Sequence, residues 1–402
     1  MLLQQDPTVR IEILEQRTER SVNAFGLGIS TRMQHRLAAV TGLKEQLLDS
    51  TVELPSLGIP MISRDDLSEQ MKVFLEERQP STACKMRYGT SCASVDFDQK
   101  HITTHDGTII EYDLLVAADG VNSKIRQQLV TERGFREERY LQDLRWKALS
   151  LPKQPDTSLA AGSFKPLQHP SLASGRVLPK APEGHTVLLL WKDHTQNNPE
   201  GVETNEELKT LMIDALQDKN RKLNLVRKIA GLGQSDDVNK DRTVVFDEVA
   251  LQSCVEARAG RVQYLRLPQY HYGDSVALIG DSAHAFNSLL GQGCATGLES
   301  THTLVDALLV HNTLKAALAS YSNRATVEAH AITELSLLSY ALSGGKRMSF
   351  KAFPLLLLNI LRGKSLIKRL GDITVPYSQI AKENATLLKV CRREFEKKRI
   401  QY

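Results

Sequence analysis

No glycine precedes Gly26 in this 402-residue chain, so the amino-terminal strand arrives without a glycine-rich phosphate-binding turn in front of it. The five cysteines, Cys84, Cys92, Cys254, Cys294 and Cys391, are odd in number and scattered. None has zinc-ligand or C-x-x-C spacing, which excludes a disulfide framework and predicts free thiols in a reducing, cytoplasmic compartment. Charge of one sign is also scarce: 51 Lys and Arg against 47 Asp and Glu leave a net +4 and a pI near 8.7. So mild and dispersed an excess argues against a nucleic-acid partner. Met1–Arg10 holds no apolar signal-peptide core. The most apolar run, Phe353–Leu361, is far shorter than the roughly 20 residues a bilayer core requires. Its first reading is a buried helix turn, its second a surface-lying membrane contact.

What is present reads as α/β. Val9–Leu14 is β-branched and apolar, a short strand. A helix is expected over Met33, Leu37 and Val40 with Gly42 as its C-cap, and a second begins at Ser63, where Ser63 and Asp66 resemble a capping box before the stripe Leu67, Met71, Phe74, Leu75. Leu114–Ala118 and Val276–Ile279 are unbroken apolar runs, expected of strands buried on both faces of a parallel sheet. Each closes on an acid–glycine turn, Asp119-Gly120 and Gly280-Asp281. Ligands of open α/β sheets sit outside the carboxyl ends of the strands, so both turns are candidate cofactor contacts. Between them, His185–Trp191 and Thr243–Val249 read as strands and Glu206–Ile229 as a helix, a separate α+β domain. From Thr301 the chain is expected to be helical, ending in a basic amphipathic segment, Gln379–Lys398.

The strongest motif is Gly280–Gly297, GDSAHAFNSLLGQGCATG. Asp281, at a strand end, can accept hydrogen bonds from ligand hydroxyls. Gly291, Gln292 and Gly293 allow close backbone approach, and the helix start at Cys294 and Ala295 favours negative charge. The second motif is Tyr112–Arg126, YDLLVAADGVNSKIR, a strand, an Asp-Gly turn and then Ser123 capping a helix. His284 and Ser282 read as structural anchors, since GDSAH lacks a nucleophile-elbow context.

Together, in this order, the two segments resemble the DG and GD motifs of the FAD-dependent aromatic hydroxylases, the class A flavin monooxygenases. Glu15 and Arg17, after Ile13-Leu14, are similar to that family's ribose-binding strand end, and Arg64 to its FAD-contacting arginine. Within the family, Ser21-Val22-Asn23, Leu144–Leu149 and the long helical C-terminus resemble the kynurenine 3-monooxygenase subfamily. The resemblance implies a Rossmann-like FAD-binding domain of the GR2 type, N-terminally incomplete, formed by 1–140 and 271–310. It also implies an inserted α+β substrate domain at 141–270 and a helical region at 311–402, with peripheral contact to an organelle membrane through the C-terminus. The implied cofactors are FAD and NADPH, and the implied partner is a small aromatic substrate that receives one oxygen from dioxygen. The implied cofactor-binding residues are Glu15, Arg17, Arg64, Asp119, Gly280, Asp281, Gly291, Gln292, Gly293, Cys294 and Ala295.

The departures point the other way. A dinucleotide fold places G-x-G-x-x-G about 20 residues before the ribose-binding acid, and Glu15 has no such turn ahead of it. Ser288, Ala295, Ser300 and Ala117 stand where the family has proline, asparagine, aspartate and glycine. An incomplete or degenerate flavoprotein with little activity is therefore the alternative expectation. A flavin reductase or epoxidase acting on a lipid is a further one.

Overall fold

The computed structural model describes residues 1–18, 23, 25–54, 58–80, 82–154, 165–167, 169–172, 174–179, 184–193, 196, 199–216, 244–287, 290–343, 366–396 and 400–401. The first part runs α1 (Leu2–Gln5), β1 (Ile11–Glu15), β2 (Gly26–Gly28), α2 (Thr31–Leu37), α3 (Leu43–Asp49), β3 (Val52–Leu54), β4 (Ile59–Ser63) and α4 (Arg64–Arg78). It continues through β5 (Cys84–Tyr88), β6 (Cys92–Asp96), β7 (His101–Thr104), β8 (Ile109–Glu111), β9 (Leu115–Ala117) and α5 (Lys124–Arg133). The middle part holds β10 (Glu138–Leu151), β11 (Lys165–Leu167), β12 (Ser174–Pro179), β13 (His185–Lys192), α6 (Asn205–Leu216), α7 (Glu248–Glu256) and β14 (Gly260–Arg266). The chain then returns through β15 (His271–Tyr272), β16 (Val276–Leu278) and a short 3₁₀ turn at Gly280–Ser282. It finishes with α8 (Gly293–Val310), α9 (Leu314–Ser343), α10 (Leu366–Gly371), α11 (Tyr377–Glu383), α12 (Ala385–Glu396) and β17 (Ile400–Gln401).

The architecture is α/β, Rossmann-like around two parallel pairs. β1 pairs with β5, and β9 with β16, whose other neighbour is β15. β16 is wholly buried, as its apolar run predicts. β9 is not: Val116 is 40% exposed, contrary to the expectation for Leu114–Ala118, because nothing described covers its face or its outer edge. The core here joins Ala117, Val276 and Leu278 to Ile125 and Leu129 of α5 and to Leu304, Leu318 and Tyr321 of the long helices. Ser63 caps α4 as expected, its hydroxyl accepting from the Asp66 amide at 3.0 Å, and Leu67 and Phe74 are buried.

Two further expectations are corrected, and a third is met as far as the described residues reach. Gly42 does not end the first helix, which stops at Leu37. It takes up φ 83° and starts α3 instead, so Val40 lies in the turn between. Val249 belongs to a helix, since Asp247 accepts from the amides of Val249 and Ala250 and caps α7. Local capping overrides the β-branched pattern of Thr243–Val249, whose first residue lies outside the described ones. The expected helix Glu206–Ile229 is observed as α6 up to Leu216, the remainder lying outside the described residues.

The middle part is a sheet in the order β11-β12-β13-β10-β14, with β17 also pairing β10. Leu208, Met212, Leu251 and Cys254 of α6 and α7 pack on it. The C-terminal amphipathic segment is two helices broken at Asn384, and its apolar residues Leu387, Leu388 and Cys391 are buried in a cluster with Ile332 and Leu335 of α9. Phe353–Leu361 lies outside the described residues. No described helix is long and apolar enough to cross a membrane.

One side chain joins the two parallel strand ends. Arg126 of α5 is fully buried and donates to the Ser282 carbonyl at 2.9 Å, the Val121 carbonyl at 2.7 Å and the Glu137 carboxylate at 2.9 Å. Burial works against its charge, and Glu137 offsets this. Arg126→Ala strands a part-buried carboxylate and two carbonyls, so urea unfolding should show a loss of about 3 kcal/mol. Arg126→Lys should recover only part of this, because one ammonium cannot match the fork of a guanidinium.

Candidate functional site

Ser282 completes the joint that Arg126 makes. Its hydroxyl lies 2.6 Å from the Ala117 carbonyl at the end of β9 and 2.8 Å from that of Ile279, and it accepts from the Ile279 amide at 3.1 Å. The Ile279 amide also donates to Ala117 at 3.0 Å. The acid–glycine turns after β9 and β16 are therefore held side by side at the carboxyl ends of adjacent parallel strands. Sequence spacing alone does not reveal this pairing.

Asp281 combines two properties. Its pKa is raised by burial among protein atoms, yet the residue is open to solvent. Gly280, at φ 57°, gives the turn its left-handed step. The start of α8 stands beside this turn. Cys294 feels the charge of Asp281, and burial together with that charge pushes its thiol up to about 11. The thiol is thus protonated and no nucleophile. Helix α8 begins without a side-chain cap or an acidic residue in its first turn. Its leading amides form the positive end of an 18-residue helix. Gly291, at φ 65°, makes the preceding turn.

The side chain of Gln292 is engaged within the protein. Its Oε1 accepts from the Tyr377 hydroxyl at 3.0 Å. Tyr377 in turn lies under the guanidinium of Arg32, 4.2 Å from the ring centroid. Arg32 is buried and donates to the carbonyls of Leu370, Asp372 and Val375 and to Glu299 at 2.9 Å. The C-terminal helices thereby position the Gly291–Gly293 turn, a role for Arg32 and Tyr377 that sequence reasoning missed.

The other expected residues divide. Asp119 is the acceptor for the Lys124 amide at 2.9 Å, capping α5 beside Ser123. Glu15 accepts from the Arg17 amide at 2.9 Å. Arg17 and Arg64 converge on Asp65, at 3.8 and 3.3 Å, where α4 begins. Leu67, one turn on, packs in the same cluster as Ala295 and Cys294. The end of β1, the start of α4 and the start of α8 therefore lie at one end of the fold with Asp281. Ala295 is a buried apolar contact there.

His284 is enclosed between Tyr270 and Phe286, with ring centroids 5.7 and 6.2 Å away. Its Nε2 lies 3.2 Å from the Ser300 hydroxyl, which donates to the Thr296 carbonyl, so the ring donates there and is neutral. Burial lowers its pKa to about 4.

Comparison with known proteins follows this geometry. No family model matches the chain. It is 25% identical over 332 residues to kynurenine 3-monooxygenase of Flavobacterium psychrophilum, covering 79% of this chain and 68% of that one. It is 30% identical over 151 residues to the kynurenine 3-monooxygenase of Mycosarcoma maydis, which is 35% of this chain but only 25% of that enzyme's length. Its fold matches the crystal structure of PqsL from Pseudomonas aeruginosa, described as a probable FAD-dependent monooxygenase, with a TM-score of 0.53 at 19% identity, covering 83% of this chain and 89% of that one.

A histidine whose folded pKa lies below its unfolded value of 6.5 stabilises the fold above pH 6.5 and loses that contribution as pH falls toward 4. Unfolding free energy measured across this window should drop by up to about 3 kcal/mol on account of His284. His284→Asn should remove that part of the slope. Ser300→Asp places a carboxylate beside the ring, and an NMR titration should then show the imidazole pKa moving upward.

Proposed function

We propose that this chain, a homologue of the FAD-dependent aromatic hydroxylases with kynurenine 3-monooxygenases among its relatives, is an oxidoreductase. In this reading it binds FAD in the cleft between Asp281 and the start of α8. With NADPH as reductant and dioxygen as oxidant, it transfers one oxygen to a kynurenine-like aromatic small molecule. The observation that carries this reading is the pairing of a solvent-open carboxylate with an uncapped helix start beside it.

The donor set fits the ring end of the cofactor. Asp281 would accept from ribityl hydroxyls, and the leading amides of α8 would favour the negative charge that the ring carries on reduction. The other end is served differently. Among the described residues no glycine turn follows β1 to present backbone amides to a diphosphate, and in the Asp119-Gly120 turn after β9 Asp119 is occupied in capping α5. Arg17 and Arg64, both half-exposed and gathered by Asp65, are the cations placed to meet phosphate there. Bound FAD supplies the electron transfer and oxygen activation. The protein contributes orientation, charge stabilisation and exclusion of water. Neutral His284 and protonated Cys294 shape the cleft without exchanging protons near neutral pH.

A second reading, a flavoprotein that holds FAD weakly and turns over little, is favoured by the missing amide cradle. Titrating the purified chain with FAD, followed by absorbance and gel filtration, separates the two. The hydroxylase reading expects a two-banded flavin spectrum that co-elutes with protein, and aromatic-stimulated NADPH oxidation. Asp281→Asn should weaken FAD binding about ten- to hundredfold, the effect of removing a charged hydrogen-bond acceptor. A chain that stays colourless in excess FAD overturns the reading.

A further inference from the structure

We propose that Phe25 and Trp146 are positioning residues for Arg64, so that the middle sheet sets the guanidinium at the start of α4 through two aromatic rings. The proposal rests on the reading of Arg64 as a cation that meets cofactor phosphate. Arg64 is the first residue of α4, and Phe25 fixes it twice. The Phe25 carbonyl accepts from the Arg64 amide at 3.0 Å, and the Phe25 ring lies under the guanidinium, whose carbon is 5.3 Å from the ring centroid. Asp65 accepts from Arg64 Nε at 3.3 Å, yet it also lies 3.8 Å from Arg17. An acid shared by two cations fixes neither by itself, whereas a ring face beneath the guanidinium restricts its plane.

Phe25 is itself held from the middle sheet. Its ring meets that of Trp146 edge to face, with centroids 6.4 Å apart and planes at 84°, the arrangement that the charge distribution of aromatic rings favours. Trp146 lies on β10, in register with Leu190 of β13 and Gly260 of β14. It therefore stands on the face opposite Leu149 and Val187, which pack with α6 and α7. Gly260 makes room for the indole: a Cβ there would lie 2.4 Å from Trp146 Cε2. No other residue can occupy that position without moving the ring.

The chain on either side of Phe25 is tied to the same part of the fold. Asn23 Oδ1 accepts from the Ser150 amide of β10 at 2.9 Å, and its Nδ2 donates to the Ala250 carbonyl of α7 at 2.9 Å. Gly26 approaches β12 so closely that a Cβ would lie 2.9 Å from the Pro179 carbonyl oxygen. Gly26 also pairs with Ser63, the residue that caps α4. The segment is thus pinned before and after Phe25, with the ring of Phe25 set between a tryptophan and an arginine. The position of a charge at the start of α4 thereby comes to depend on the sheet built by β10, β12 and β14.

The test measures how fast phenylglyoxal modifies Arg64 in the full, flavin-free chain, by peptide mass spectrometry with the exposed Arg324 as internal standard. Removing the ring beneath a half-exposed guanidinium, or the indole that holds that ring, should raise the rate at Arg64 about three- to fivefold. Phe25→Leu and Trp146→Leu are expected to do this at Arg64 and not at Arg324, while Trp146→Phe, which keeps an aromatic edge, leaves the rate unchanged. Thermal melts establish that the variants are folded. Where Trp146→Leu does not fold, Gly260→Ala, which displaces the indole without removing it, takes its place. An unchanged rate at Arg64, or an equal rise at Arg324, overturns the proposal. FAD titration separates it from the cofactor reading. Affinity that falls about three- to fivefold in Phe25→Leu, with no further fall when Phe25→Leu is added to Arg64→Ala, supports the proposal. A fall of the same size in the Arg64→Ala background overturns it. If the unmodified chain binds no FAD, the cofactor reading fails, while a selective rise at Arg64 still upholds the positioning.

Discussion

Arg126 is the contact on which the site depends. The chain leaves the first motif after Gly120 and does not reach the second until Gly280, having built the strands β10 to β14 and, among the described residues, three helices between them. Adjacent strand pairing brings β9 and β16 together, but pairing fixes strands, not the turns beyond them. The buried guanidinium closes that distance by bonding the carbonyls of Val121 and Ser282, while the Ser282 hydroxyl reaches back to Ala117. Two turns with separate origins thereby become one rigid rim. A fully buried charge is costly, and Glu137 together with two carbonyls gives it the partners that make it tolerable.

The second rim of the cleft is set from further away. Helix α8 supplies an uncapped start, and the Gly291–Gly293 turn before it is held by Tyr377 through Gln292, with Arg32 binding three carbonyls of the C-terminal segment. The C-terminal helices are thus part of the site's support. The same helices bury Leu387, Leu388 and Cys391, the apolar residues of the amphipathic C-terminal segment. Opposite this well-supported half, the β1 side is sparse. Its strand has one partner, Glu15 turns back to its own loop, and two arginines share one aspartate. The fold is therefore most complete around Asp281 and least complete where a diphosphate would lie.

Substituted positions show how the site differs from the pattern it resembles. At Ala295 the helix start buries a methyl group among apolar neighbours, where the pattern has a polar amide. At Ser300 a hydroxyl replaces a carboxylate beside His284, and the enclosed ring stays neutral with its pKa near 4. Both changes remove polarity from the core of the motif while leaving its backbone turns and Asp281 in place.

Patterns with a local cause were legible in the sequence. Ser63 and Ser123 were readable as caps because a hydroxyl meets an amide three residues on. β16 was readable because an apolar run closed by an acid–glycine turn has few other uses. Where two local signals competed, the reading failed: Gly42 serves the following helix, and Asp247 draws Val249 into α7. The amino-acid sequence by itself determined the class of the fold and the two acid–glycine turns, because each is written in a few contiguous residues. Only the tertiary structure decided that Asp281 lies beside the start of α8, that Arg126 and Arg32 hold the rims, and that Val116 is left uncovered. Each of these depends on atoms distant in the chain, and no short-range pattern encodes them.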